Sequence, residues 1–234
     1  VALLSSYQAL CTFALLPAMP QIASVFQVSN LNDIQLVIGL FLLGNMMGQL
    51  FFGPLSDAFG RKPLIASGLF LFLIGCLISL WATNYWLFLL GRILQGFGAA
   101  APRTVSLSMV RDLYSGRSMA RLMSISMSIF TLAPIIAPLL GQLAFNIFGF
   151  RGIIMGFIIF GSLGFLWVQF RQIESLSPAR RCHFQAKMYM TGIISVWEKP
   201  HGLIYSIALG MLFSAFVGLM SSVQQIFQDT FKVG

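Results

Sequence analysis

The chain alternates long apolar stretches with short polar ones. By length and hydropathy the apolar stretches predict seven spans, at residues 1–25, 34–55, 64–82, 86–110, 122–147, 152–170 and 201–227. Each is close to the twenty or so residues a helix needs to cross a bilayer core of about 30 Å. Backbone groups in hydrocarbon must bond within their own segment, and these runs are too long for barrel strands, so the spans are read as helices. The fold class predicted is an all-α polytopic membrane protein.

The spacing of the polar breaks adds an organisation. Six spans follow one another through turns as short as Thr83-Asn84-Tyr85, and one long polar interval precedes the seventh. This predicts a six-helix bundle over 1–171, a linker over 172–200 and, over 201–234, the first helix of a second half. A faint echo between "QIASVFQVSN" (21–30) and "QIFQDTFKVG" (225–234) fits two related halves, as internal repeats of secondary transporters do. The chain starts with Val, inside an apolar run that lacks a basic leader and a small-residue cleavage site, so that run is not read as a signal peptide. A fragment truncated at both ends is expected. In the linker Phe184, Met188, Ile193, Val196 and Trp197 alternate with Lys187, Glu198 and Lys199. A helix lying on the membrane surface and a flexible basic linker fit these residues equally.

Composition agrees: 58% of residues are hydrophobic and 9% charged, against about a quarter charged in soluble domains. The net charge of +8 invites a nucleic-acid reading, but its placement argues otherwise. With the amino end inside, Arg61, Lys62, Arg111, Arg117, Arg121, Arg171, Arg180, Arg181, Lys187 and Lys199 fall in inner loops, and only Arg151 and Lys232 fall outside. That asymmetry is the positive-inside pattern, so the basic balance reports topology and contact with the lipid bilayer, with no nucleic-acid partner. Cys11, Cys76 and Cys182 are scattered without metal-ligand spacing or a disulfide framework. Hydrolase and metalloprotease motifs are absent, His183 and His201 stand alone, and "GFGAAA" (96–101) lacks the strand a dinucleotide fingerprint requires. No enzyme, cofactor or metal is expected.

Small residues repeat every fourth position in Gly44/Gly48, Ala133/Ala137/Gly141 and Gly210/Ser214/Gly218, a spacing that lets helices approach closely. The fourth span carries Arg92 and Arg103, eleven residues apart and so about 20° apart on one face. A charge at membrane depth implies a polar cavity or a partner, or else a side chain that snorkels to the interface. Asp33, Asp57, Asp112, Glu174, Glu198 and Asp229 all sit in loops or at helix ends. Compensation for the arginines is therefore expected from substrate, water, missing helices or an acid at the cytoplasmic edge. In "APIIAPLLGQ" (133–142) Pro134 and Pro138 predict a bend.

These motifs carry a resemblance. "GPLSDAFGRKP" (53–63) resembles the sequence after the second helix of the major facilitator superfamily, and "LGRILQGFGAA" (90–100) its fourth-helix motif. "APIIAPLLGQ" is similar to the fifth-helix motif of drug:proton antiporters, in the form of the bicyclomycin/chloramphenicol-resistance (Bcr/CflA) branch. "VRDLYSGRSMARLMS" (110–124) and "LLPAMPQIA" (15–23) match that branch too. The resemblance implies a six-helix amino-terminal bundle plus the first helix of a second bundle, in a monomer whose remaining carboxy-terminal helices lie beyond residue 234. It implies a secondary transporter of the cell inner membrane, exporting drug-like small molecules by alternating access with the proton as coupling ion. Residue by residue, Gly53, Asp57, Gly60, Arg61 and Lys62 take the gate positions, Arg92 the coupling arginine, and Pro134, Pro138 and Gly141 the antiporter bend. Asp57 is expected to pair with Arg111, and Gly53 to admit a close neighbour. Ala58 departs from the motif, where a basic residue is usual, and Ala137 stands where many antiporters have Gly. Phe13 occupies a place where many branch members carry Asp, so the proton site is not located in this chain and proton coupling is inferred from the resemblance alone. Tyr7, Gln8, Asn45, Gln49, Gln95 and Arg103 are nominated as polar lining of a substrate cavity, with Phe41 and Met46 as its apolar wall. A carrier for a metabolite is the alternative. A seven-helix receptor is opposed by the charge bias and by the lack of a lysine at mid-depth in the seventh span.

Overall fold

A computed structural model describes residues 2–28, 30–176 and 200–231. Arg180, Arg181, Cys182, His183, Lys232 and the candidate amphipathic segment from Phe184 to Lys199 lie outside these residues. The described regular structure is helical, with α1 (Ala2–Phe13), α2 (Met19–Val25), α3 (Leu31–Ile34), α4 (Leu36–Phe59), α5 (Arg61–Leu80), α6 (Tyr85–Leu113), α7 (Gly116–Arg171) and α8 (Pro200–Phe231). The chain divides into two compact units, Val1–Cys182 and His183–Gly234.

The first span is not one helix. It breaks after Phe13 and resumes through a single 3-10 turn, Leu16–Ala18, before α2. Pro17 has no N–H to donate and its ring crowds the preceding turn, while Pro20 is well placed in the first turn of α2. The fifth and sixth spans fuse into α7, whose 56 residues would reach about 84 Å as one rod, nearly three times a bilayer core. They separate at Gly149, whose φ of 66° and ψ of −164° belong to a region only glycine occupies readily. Gln21 Oε1 accepts from the Phe150 N–H at 2.8 Å and so caps the outgoing half. Elsewhere Asn84 caps α6 by accepting from the Leu87 N–H at 2.7 Å.

Among the described residues, five helical segments are long and apolar enough to cross a membrane: Ser6–Val25, Leu36–Phe59, Arg61–Leu80, Gly116–Arg171 and His201–Leu219. The long helix missing from that set is α6, about half of whose residues are buried. Its small residues sit against α4 and α5. A Cβ on Gly44 or Gly96 would run into the carbonyl oxygens of Ile93 and Phe41, and one on Gly48 would stand 2.5 Å from Phe97 O. Gly68, Gly75, Gly91 and Gly98 close the α5–α6 crossing in the same way. Apolar side chains gain little by leaving lipid for protein, so close van der Waals packing and polar networks hold such a bundle together. Of the three predicted small-residue sets, Gly44/Gly48 packs on α6, and Ala133, Ala137 and Gly141 are buried, Gly141 against the backbone of Ala14. The third does not behave so: a Cβ on Gly210 meets nothing within 4 Å.

The rim of unit 1 is aromatic. Trp81 and Trp86 are exposed on either side of the α5–α6 turn, and Trp167 and Phe170 at the far end of α7. Such residues mark the two interfaces of a membrane protein.

Candidate functional site

Three polar centres are built into the apolar frame of unit 1. The first lies where α4 meets α5. Gly60, with φ 106° and ψ 157°, is the one residue between these helices. It turns the chain so that Asp57, in the last turn of α4, faces Arg61 at the start of α5. Arg61 is buried, and its Nη1 donates to Asp57 Oδ1 and Ser56 Oγ, both at 2.5 Å. Its Nε donates to Asp112 Oδ2 at 2.8 Å, near the end of α6. Ser56 Oγ in turn donates to Gly53 O. The segment after α7 closes the cluster. The Glu174 carboxylate accepts the free N–H groups of Arg61 and Lys62 at 3.0 and 3.2 Å, and Lys62 Nζ donates to Gln169 O. A carboxylate at a helix N-terminus satisfies orphan donors and opposes the positive end of the helix dipole. Charge-assisted bonds of this kind are about twice as strong as neutral ones. One guanidinium thus ties α4 to α6, while the backbone of its own first turn ties α5 to the end of α7.

Two expectations about this centre fail. Asp57 pairs with Arg61 rather than Arg111, which is exposed. Consecutive helical residues point about 100° apart, and α6 is rotated so that Asp112, not Arg111, faces α5. Gly53 admits no close neighbour, since a Cβ there would lie 4.0 Å from Thr104 Cγ2, an ordinary contact. Asp112 and Glu174 were missed as partners because a lone acid at a helix end has no pattern of its own.

The second centre is Arg92, fully buried in α6. Nε donates to Val37 O at 3.1 Å, Nη1 to Gln95 Oε1 at 2.6 Å and Nη2 to Cys11 O at 3.1 Å, and the guanidinium carbon lies 4.5 Å from the centroid of the Phe41 ring. The compensation expected from substrate, water, missing helices or a carboxylate comes instead from carbonyl oxygens and a ring face. Cys11 lies in the last turn of α1, where carbonyls lack helical partners and the dipole is negative. The end of α1 at Phe13 is therefore what leaves an acceptor for Arg92.

The third centre is Arg103, half-buried. Nη1 donates to Gln8 Oε1 at 2.7 Å, and the guanidinium carbon stands 4.1 Å over the Phe130 ring of α7. One turn along α6 the Ser106 hydroxyl is buried without a partner. Arg92 and Arg103 both reach α1, as their eleven-residue spacing implies.

The nominated cavity lining divides. Gln95 and Phe41 are fully buried, so they belong to the packed core. Gln95 Nε2 donates to Gly75 O and Ser79 Oγ, using the whole amide to join α5 and α6. Tyr7 is buried too, donating to Phe160 O and stacking on the Phe160 ring at 4.2 Å. Asn45 is buried and donates to Gly96 O, while Gln49 donates to Asn45 Oδ1. Gln49 and Met46 are exposed. Helical dihedrals continue through Pro134 and Pro138, and the one non-helical residue within α7 is Gly149.

A profile of the Major Facilitator Superfamily matches residues 1–234. A bicyclomycin resistance protein homolog of Haemophilus influenzae is 28% identical over 207 residues, covering 88% of this chain and 52% of that protein. The multidrug resistance protein MdtL of Citrobacter koseri is 30% identical over 163 residues, covering 65% and 42%. The chain spans about half the length of the curated relatives it matches. Among solved structures, the human organic anion transporter MFSD10 (TETRAN) has a TM-score of 0.64 at 16% identity, with 100% of this chain and 65% of that one covered. A D-xylose–proton symporter has a TM-score of 0.61 at 18% identity, with 97% and 57% covered. Those two likenesses speak for the fold alone. With the profile spanning every residue of a multi-pass helical membrane protein, the chain belongs to the Major Facilitator Superfamily, a family of transporters rather than enzymes.

Proposed function

We propose that the chain is the amino-terminal part of a secondary active transporter that exports drug-like, amphipathic small molecules by alternating access. The protein would lie in a bacterial inner membrane with its amino terminus in the cytoplasm, act as a monomer completed by further helices, and use proton influx as its driving force. Sequence likeness to proteins named for bicyclomycin and multidrug resistance supports export. The basic inner loops support the orientation. The observation that carries the mechanism is the Arg61 cluster, in which one guanidinium holds the ends of two helices and its own backbone the segment that follows a third. Packed elements held by charge-assisted bonds shift between discrete arrangements, and losing one such bond, about 1.5–3 kcal/mol, moves that balance about ten- to hundredfold.

The test is accumulation of anionic, neutral and cationic fluorescent dyes in cells making the full-length protein, with and without a protonophore. Lower accumulation of at least one dye, abolished by the protonophore and reduced about tenfold in Asp57→Asn, is expected. Export that ignores the protonophore removes proton coupling, and no export of any dye removes the reading.

A further inference from the structure

Arg103 lies within the fourth apolar span, seven residues, or about 10 Å along the helix, from its inner end at residue 110. A cation at that depth is costly unless compensated. Arg92 shows what full compensation looks like in this protein: three acceptors and a ring. Arg103 has one acceptor, the Gln8 amide oxygen, and one ring, Phe130. No carboxylate meets it among the described residues. Asp57, Asp112 and Glu174 are committed to the Arg61 cluster, and Asp33 lies before the outer end of α4, bonded to Asn30.

What the centre still offers is donors. The guanidinium keeps N–H groups beyond the one given to Gln8. The Gln8 amide has spent its oxygen on Arg103 and retains its NH2. A set of donors around a fixed positive charge, beside an aromatic face, complements an oxyanion attached to an apolar body. A cationic amphipath would meet repulsion and find no acceptor.

We propose that Arg103, Gln8 and Phe130 form an anchoring site for the carboxylate or sulfonate of an amphipathic organic anion, which makes anions the preferred substrates of this transporter. The proposal rests on the transport reading above and adds the charge class of the substrate. Arg103 and Gln8 hold the oxyanion, and Phe130 keeps the guanidinium plane in place and covers the apolar body.

The experiment compares three probes sharing one ring system, naphthylacetate, naphthylmethanol and naphthylmethylamine, in binding and counterflow with the full-length protein in proteoliposomes. Naphthylacetate is expected to bind best. Arg103→Gln should weaken it about ten- to hundredfold, the range of a lost charge-assisted bond, and leave naphthylmethanol within twofold. Gln8→Glu sets a carboxylate against Arg103, so it should also weaken naphthylacetate and strengthen naphthylmethylamine. If Arg103→Gln does not insert, the Gln8→Glu pair of shifts decides alone. Naphthylacetate transport that is unchanged by Gln8→Glu or by Arg103→Gln overturns the anion site and leaves the exporter standing. Failure to move any of the three overturns both.

Discussion

Arg92 and Arg103 stand on the same helix and both touch α1, yet their surroundings differ in kind. Arg92 is sealed, each nitrogen of its guanidinium donating to a carbonyl or an amide oxygen and a ring lying against it. Arg103 is half open, with one amide oxygen and one ring. The contrast teaches that depth and charge alone do not mark a binding residue. A buried cation that finds three protein acceptors is a structural centre, able to couple helices to one another. One that finds a single acceptor keeps its remaining capacity for something that comes and goes.

Three substitutions separate these roles, read as unfolding by sodium dodecyl sulfate in mixed micelles. Arg92→Met strands the acceptors on Cys11, Val37 and Gln95, at about 1 kcal/mol each, so a loss of about 3 kcal/mol is expected with insertion retained and transport abolished. Wild-type transport by that variant would remove Arg92 from the mechanism. Gln95→Leu deletes the amide that joins Arg92 to Gly75 and Ser79, and should cost about 2 kcal/mol. Arg103→Met should change stability least, by under about 1 kcal/mol, because relief from holding a charge at membrane depth offsets the lost Gln8 bond. A loss as large as that of Arg92→Met would erase the distinction and make Arg103 structural as well.

Much of the fold could be read directly. Apolar length placed the spans, and the two arginines were seen to be deep and on one face. The bonding of Arg92 was not legible, because its partners include backbone carbonyls of α1 and α4, and carbonyls leave no trace in residue identity. The acceptor on Cys11 arises because α1 ends at Phe13, inside a run whose hydropathy is continuous. Phe130 at Arg103 went unseen for a related reason: one phenylalanine among many in an apolar span carries no signal until α7 is docked on α6.

Asp57, Arg61 and Gly60 were recognised from the pattern of one short loop, since a glycine between two helices and charges one turn apart are local facts. Whether Asp57 would meet Arg111 or Arg61, and whether Arg111 or Asp112 would face α5, depends on the rotation of α6. Apolar length and residue type were enough to give the class of protein, the rough limits of most spans and the residues too polar to lie there idly, because each follows from the free energy of one segment in lipid. Which of those residues are sealed and which stay open was set by packing. That depends on how the glycine-lined faces of α4, α5 and α6 lock together, and on which acceptors their packing brings within 3 Å of a guanidinium.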